Sequence, residues 1–302
     1  MCSSPSCVVP LSYAAMSTLQ LFAACVAIWS TTWIAITFQL GTVPAEMSVF
    51  YRFALAALLL FGWCLARRLP LRFTPREHVW MALFGVGSLG VSYVFVYYAE
   101  QYVVSGLVAV GYSASPLLSM LGARLFLGTP ITRRVAVASV MGILGIVLVF
   151  LPEVRETTSG IGVAFTAAAV VIACLGGLVA QRNQQAKIPL WQGMAWGMLY
   201  GSLSALVMGL AGGKPFAFEA TPAYIGSLLY LAVLGSILAF GAFLTLLERL
   251  GAARAGYVGV AVPIVALFVS AAFEGFRFHA LTFAGIAVSV AGNVLMLRTR
   301  RA

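Results

Sequence analysis

The chain has 302 residues, 62% of them hydrophobic and only 9% charged, with a mean hydropathy of +1.02. Soluble domains are about 45–50% apolar and about 25% charged, so there is too little polar surface here to cover a water-borne particle. The net charge of +10 does not mark a nucleic-acid binder, because the Lys and Arg residues lie between apolar runs and are not gathered in one patch.

A helix that crosses a bilayer needs roughly 20 mostly apolar residues. Runs of this kind cover residues 18–39, 45–66, 79–99, 103–126, 134–152, 160–181, 190–211, 224–247, 253–275 and 280–297. Run length, and the need to satisfy every backbone group inside lipid, make them helices and not strands. The expected fold class is an all-α integral membrane protein of ten transmembrane helices. The runs use nearly the whole chain, which leaves no room for a separate soluble domain. The first run is followed by nine more and reads as a helix, not a cleaved signal peptide.

Charge placement bears on the helix count. Of the 18 Lys and Arg residues, 14 fall on one side: those around residues 67–76, Arg124, Arg133, Arg134, Arg182, Lys187, Arg249, Arg254 and the tail residues Arg298, Arg300 and Arg301. Arg155, Lys214 and Arg277 fall opposite, and Arg52 lies within a helix. The positive-inside rule then puts both termini in the cytoplasm, which an even number of helices allows. The five cysteines show no CxxC spacing and form neither a metal nor a disulfide framework.

The chain also repeats itself. At an offset of 147 residues, Tyr93 meets Phe240, Pro116 meets Pro263, Gly128 meets Gly275 and Gly145 meets Gly292. Two halves follow, residues 1–152 and 153–302, each with five helices. Five is odd, so the second half is inverted in the membrane. Inverted repeats are a signature of carriers that alternate access around a midplane site.

Four stretches resemble the EamA-type members of the drug/metabolite transporter superfamily. They are AIWSTTWIAI in the first helix, PAEMSVFYRFALAALLLF in the second, the segment from Ser105 through Pro116 to Leu127-Gly128, and GAARAGYVGVAVPIVALFVSAAFEGFRF. Within that family the chain looks most like the YddG-type amino-acid exporters. The resemblance implies export of aromatic amino acids. Glu274 matches the family's acidic position before Gly275, but the first half carries Leu127 there, so a paired acidic role is not implied.

The candidate site residues are the polar and aromatic side chains inside helices: Trp29, Thr32 and Trp33 in the first; Arg52 in the second; Ser88, Tyr93 and Tyr97 in the third; Tyr112 in the fourth; Ser236 and Phe240 in the eighth; Tyr257 in the ninth. Residues four apart share a helix face. Rings with a few hydroxyls suit a zwitterion bearing an apolar or aromatic side chain. Interfacial aromatic belts are the competing reading, strongest for Tyr97, Tyr98 and Tyr102. Arg52 either faces the cavity and attracts a carboxylate or snorkels outward. Pro116 and Pro263 each free the carbonyl four residues earlier, on Tyr112 and Gly259, and serve as paired hinges or as static kinks.

The chain has no aspartate, and its eight glutamates lie at helix ends or in loops. No carboxylate is available at the midplane for a proton or sodium ion, so gradient-driven uniport or exchange is expected. His78 and His279 sit at helix termini, and Lys187 and Lys214 sit in loops. This arrangement argues against a haem pair, an intramembrane metalloprotease and a retinal Schiff base. The expectation is a monomeric inner-membrane exporter of neutral or zwitterionic amino acids. It needs no cofactor and no metal, and its partners are its substrate and the membrane lipids. A nucleoside or a hydrophobic drug is the alternative cargo, and an intramembrane enzyme or receptor is the reading from another class.

Overall fold

Local cap residues mark where several helices begin. The computed structural model describes residues 15–127, 133–156, 160–250 and 255–297. Cys2, Cys7, Gly128, Arg254, Arg298, Arg300 and Arg301 lie outside them, as do the side chains of Pro116 and Leu127. α1 (Thr18–Thr37) starts at a capping box in which Ser17 and Gln20 bond each other's backbone. α2 (Ala45–Ala66) follows Pro44, and α3 (Pro75–Ala99) opens with a second capping box, Thr74 with Glu77. α4 (residues 105–127) narrows to a 3-10 turn at Tyr112–Ala114. α5 (Arg133–Glu156), α6 (Gly160–Gln185) and α7 (Leu190–Ala211) come next. α8 (residues 222–250) starts at Thr221 and Pro222, which stand 147 residues after Thr74 and Pro75. α9 (Tyr257–Phe273) and α10 (Ala280–Leu297) complete the described helices.

Six of these helices are long and apolar enough to cross a bilayer: α1, α2, α3, α6, α7 and α8. Apolar stretches of α4, α5, α9 and α10 are shorter by the same measure. α3 and α8 start at Pro75 and Pro222, a few residues ahead of the expected 79 and 224, because a Thr cap and a Pro at the first helical position are favourable there.

The packing partners follow a regular order. α2 lies on α7, α5 on α10, and α4 on α9. α1 contacts α8 and α9, while α6 contacts α3 and α4; α2 contacts α8, while α7 contacts α3. Exchanging each helix for the one five positions on reproduces these contacts. Glycines permit the closest approaches. A Cβ on Gly85 would lie 2.1 Å from the Gly197 carbonyl oxygen, and one on Gly145 would lie 2.5 Å from the Ser289 nitrogen. Without a hydrophobic drive between helices in lipid, such backbone contact supplies the packing energy.

α3 and α8 share an irregularity that no sequence pattern announced. Each contains a π-helical segment, Gly85–Val91 in α3 and Tyr230–Leu238 in α8. Carried forward by 147, the first falls on residues 232–238, inside the second. π segments are rare and appear mostly at functional sites.

Candidate functional site

A cavity of about 320 Å³ lies between α1, α3, α4, α8, α9 and α10. Its wall holds Trp29, Thr32 and Trp33 from α1, Tyr93 from α3, Tyr112 from α4 and Phe240 from α8. Gly259 and Pro263 of α9, named above as hinge residues, line it too. The remaining wall residues are Ala109, Ser113, Ser115, Gly256, Val260, Val262 and Asn293. Among the described residues, no wall residue is charged. The size falls at the lower end of the range of about 300–1,000 Å³ common for small-molecule pockets.

The wall is paired along the sequence. Tyr93 and Phe240, Ala109 and Gly256, Tyr112 and Gly259, Ser113 and Val260, and Ser115 and Val262 each stand 147 residues apart. Positions 147 residues apart thus contribute to one chamber, and the later of each pair, from α8 for Phe240 and from α9 or its N-cap for the others, is the smaller or more apolar.

Aromatic contacts fix the rings. Trp33 meets Tyr112 with centroids 5.2 Å apart, and Trp29 meets Phe240 edge-on at 5.4 Å. Both geometries are favourable arrangements of ring quadrupoles. The Trp29 indole N–H donates to the Gly235 carbonyl at 3.2 Å, within the π segment of α8. The Tyr112 hydroxyl is 2.9 Å from Ser92 Oγ, whose own partner is the Ala169 carbonyl at 2.9 Å. These bonds tie the chamber to α6 on one side and α8 on the other.

Five expected site residues lie outside the wall. Ser88 bonds the Ala173 carbonyl on α6. Tyr97 is fully buried and donates to Gln39 Oε1 at 2.6 Å, so it is no belt residue. Tyr257 is half-buried at the start of α9. Ser236 is buried, donates to the Leu231 carbonyl at 2.9 Å, and accepts from Arg52 Nε at 3.4 Å. Arg52 is 2% exposed, so it does not snorkel. Its guanidinium lies 4.6 Å from the centre of the Tyr93 ring. It touches the wall through that ring without lining the chamber itself.

The two prolines behave differently. The Tyr112 carbonyl, which Pro116 leaves without its usual donor, is taken by the Ser115 N–H as the helix tightens to 3-10 geometry. α9 passes through Pro263 as continuous α-helix, and Ser30 of α1 donates to the neighbouring Val262 carbonyl at 3.1 Å.

Glu274, at the end of α9, sits at the start of α4 and accepts from the Ser105 N–H at 3.1 and 3.2 Å and from Ser105 Oγ at 2.5 Å. An anion is favoured there by the unpaired amides of a helix N-terminus. The chain turns away through Gly275, at φ +74, where the Phe276 N–H returns to the Ser270 carbonyl at 3.3 Å. Glu46 and Glu100, at other helix ends, are buried.

Comparison with known proteins settles the family. The chain matches the EamA-like transporter family over residues 16–151 and again over residues 160–298. It belongs to that family. It is 27% identical to Protein PecM of Dickeya dadantii over 256 residues, covering 83% of this chain and 82% of that protein. It is 27% identical to an uncharacterized inner membrane transporter, YedA, of Escherichia coli (strain K12) over 296 residues, covering 92% and 90%. A solved structure described only as the crystal structure of a protein superposes with a TM-score of 0.66 at 17% identity, over 92% of this chain and 96% of that one. That likeness is one of fold. With these relatives, the EamA chain is a multi-pass membrane protein of transporter type.

Proposed function

We propose that the chain is an alternating-access carrier of neutral or zwitterionic amino acids, aromatic ones foremost, exporting them across a bacterial inner membrane. The observation that carries this reading is the uncharged aromatic chamber whose wall positions pair between the halves at 147 residues. In this reading all ten helices cross the bilayer, residues 1–152 and 153–302 are inverted copies, and both termini are cytoplasmic. In this reading the chamber reaches Gly256, at the N-terminus of α9, the end that then lies on the cytoplasmic side. Trp29, Trp33, Tyr112 and Phe240 hold the apolar side chain of the cargo. Transport runs down the substrate gradient, by a monomer, without a cofactor.

The test is transport by the purified chain in proteoliposomes, with labelled phenylalanine, leucine, glycine, a nucleoside and a cationic hydrophobic dye. Phenylalanine should move fastest, with no imposed proton gradient. Movement of the nucleoside or the dye in the absence of any amino-acid flux would overturn the substrate class. An absolute requirement for a proton gradient would overturn the energetics.

A further inference from the structure

Among the described residues, five buried side-chain polar atoms have no hydrogen-bond partner: Gln39 Nε2, Glu46 Oε2, Arg52 Nη1 and both carboxylate oxygens of Glu100. They do not scatter over the molecule. Gln39 lies just past the end of α1, Glu46 and Arg52 lie in the first third of α2, and Glu100 caps the end of α3. Tyr97 joins them through its bond to Gln39 Oε1, and Tyr98 through its bond to Glu46 Oε1. Glu46 and Glu100 line one depression together.

Buried polar groups in proteins are nearly always satisfied, and each exception calls for an explanation. A buried carboxylate without a donor is especially costly. The unmet atoms divide into two kinds. Arg52 Nη1 and Gln39 Nε2 are donors and want an acceptor with negative charge. The oxygens of Glu100 and Glu46 are acceptors and want a donor with positive charge. One small molecule that meets both needs is an α-amino acid zwitterion, with its carboxylate toward Arg52 and Gln39 and its ammonium toward Glu100 and Glu46.

The location fits a station on a route. On one side, Arg52 backs onto Tyr93, which lines the chamber. On the other, Glu46 and Glu100 line an open depression of about 660 Å³ formed with the loop between α1 and α2 and with Lys214. The cluster therefore lies between the chamber and the opposite face of the protein. We propose that Gln39, Glu46, Arg52 and Glu100 form a second binding site, which takes the charged head of a zwitterionic substrate when that face opens. This inference rests on the amino-acid reading above.

The experiment measures inhibition of labelled phenylalanine transport in proteoliposomes by unlabelled phenylalanine, phenylethylamine, which lacks the carboxylate, and 3-phenylpropanoate, which lacks the ammonium. For the unaltered chain, each analogue should compete at least about tenfold more weakly than phenylalanine, the loss expected when about 1.4 kcal/mol of pairing is removed. In Glu100→Gln, 3-phenylpropanoate should draw level with phenylalanine; in Arg52→Gln, phenylethylamine should do so. Thermal stabilisation of the detergent-solubilised variants by the same three compounds gives the comparison where a variant is too weak a carrier. Unchanged discrimination in both variants would overturn the site while leaving amino-acid transport standing. A Glu100→Gln variant altered only in its pH profile would also overturn it, because Glu100 would then carry a proton and not an ammonium. If the unaltered chain neither moves nor binds any amino acid, the reading of the substrate class falls, and this site with it.

Discussion

Arg52 lays its guanidinium over the Tyr93 ring at 4.6 Å, so the most deeply buried cation in the described bundle is held at the back of an uncharged chamber. A desolvated cation–π contact of this kind contributes about 0.5–2 kcal/mol. Tyr93→Phe keeps the ring face and should leave thermal stability near that of the unaltered chain. Tyr93→Leu removes the face and should lower stability by that amount. Thermal unfolding of the two variants in the same detergent checks the difference.

Trp33 packs against Tyr112 in the chamber wall. If the cargo's ring stacks there, Trp33→Leu should weaken half-saturation for phenylalanine by about 0.5–1.5 kcal/mol, roughly two- to tenfold, the usual worth of an aromatic pair. Leucine transport should change less. Concentration-dependent uptake of the two amino acids provides the ratio.

Gly145 is a seam residue between α5 and α10. A Cβ there would lie 2.5 Å from the Ser289 nitrogen and 2.6 Å from the Gly285 carbonyl oxygen, while one on Gly142 would meet nothing within 4 Å. Gly145→Ala should therefore cost about 1–3 kcal/mol of stability through overpacking. Gly142→Ala should be close to neutral. Melting temperatures of the pair separate steric pressure from helix propensity.

Glu274 joins the end of α9 to the start of α4. Glu274→Gln would turn amide hydrogens toward donors and should cost about 1–3 kcal/mol, the range for hydrogen bonds that involve a charged group. Ser105→Ala should cost less, because the backbone N–H still meets the carboxylate. Chemical or thermal unfolding of both variants tests the order.

Thr74 and Thr221 occupy corresponding caps but not equal ones. Thr74 shares a reciprocal box with Glu77, whereas Thr221 accepts one bond, from the Tyr224 N–H. Replacing Thr74 by Ala should cost about 1 kcal/mol and replacing Thr221 somewhat less. The same unfolding measurement decides it.

Much of the bundle was legible because lipid imposes a length on each apolar run, and the described helices match the expected runs to within a few residues. The π segments were not. In the α3 segment Gly85 and Gly90 are pressed onto Gly197 and Gly201 of α7, and a local sequence holds no record of such contacts. Six expected site residues face the chamber because aromatic rings inside helices are conspicuous. Ala109, Gly256, Val260 and Val262 were missed because small apolar side chains carry no chemical signal, though the 147-residue offset from known wall positions reaches several of them. Asn293, a polar residue inside an apolar run, was visible and overlooked. Glu100 was expected only as a helix-end glutamate and Gln39 was given no role; only the neighbouring helix ends reveal that both are covered.

The π segments also bear on how such a wall is shaped. Each squeezes one surplus residue into a helical turn, and an α-helix advances about 100° per residue. Tyr93 and Phe240 stand two residues beyond the two segments, so the direction in which each ring enters the chamber wall is set by the change of helical phase just ahead of it.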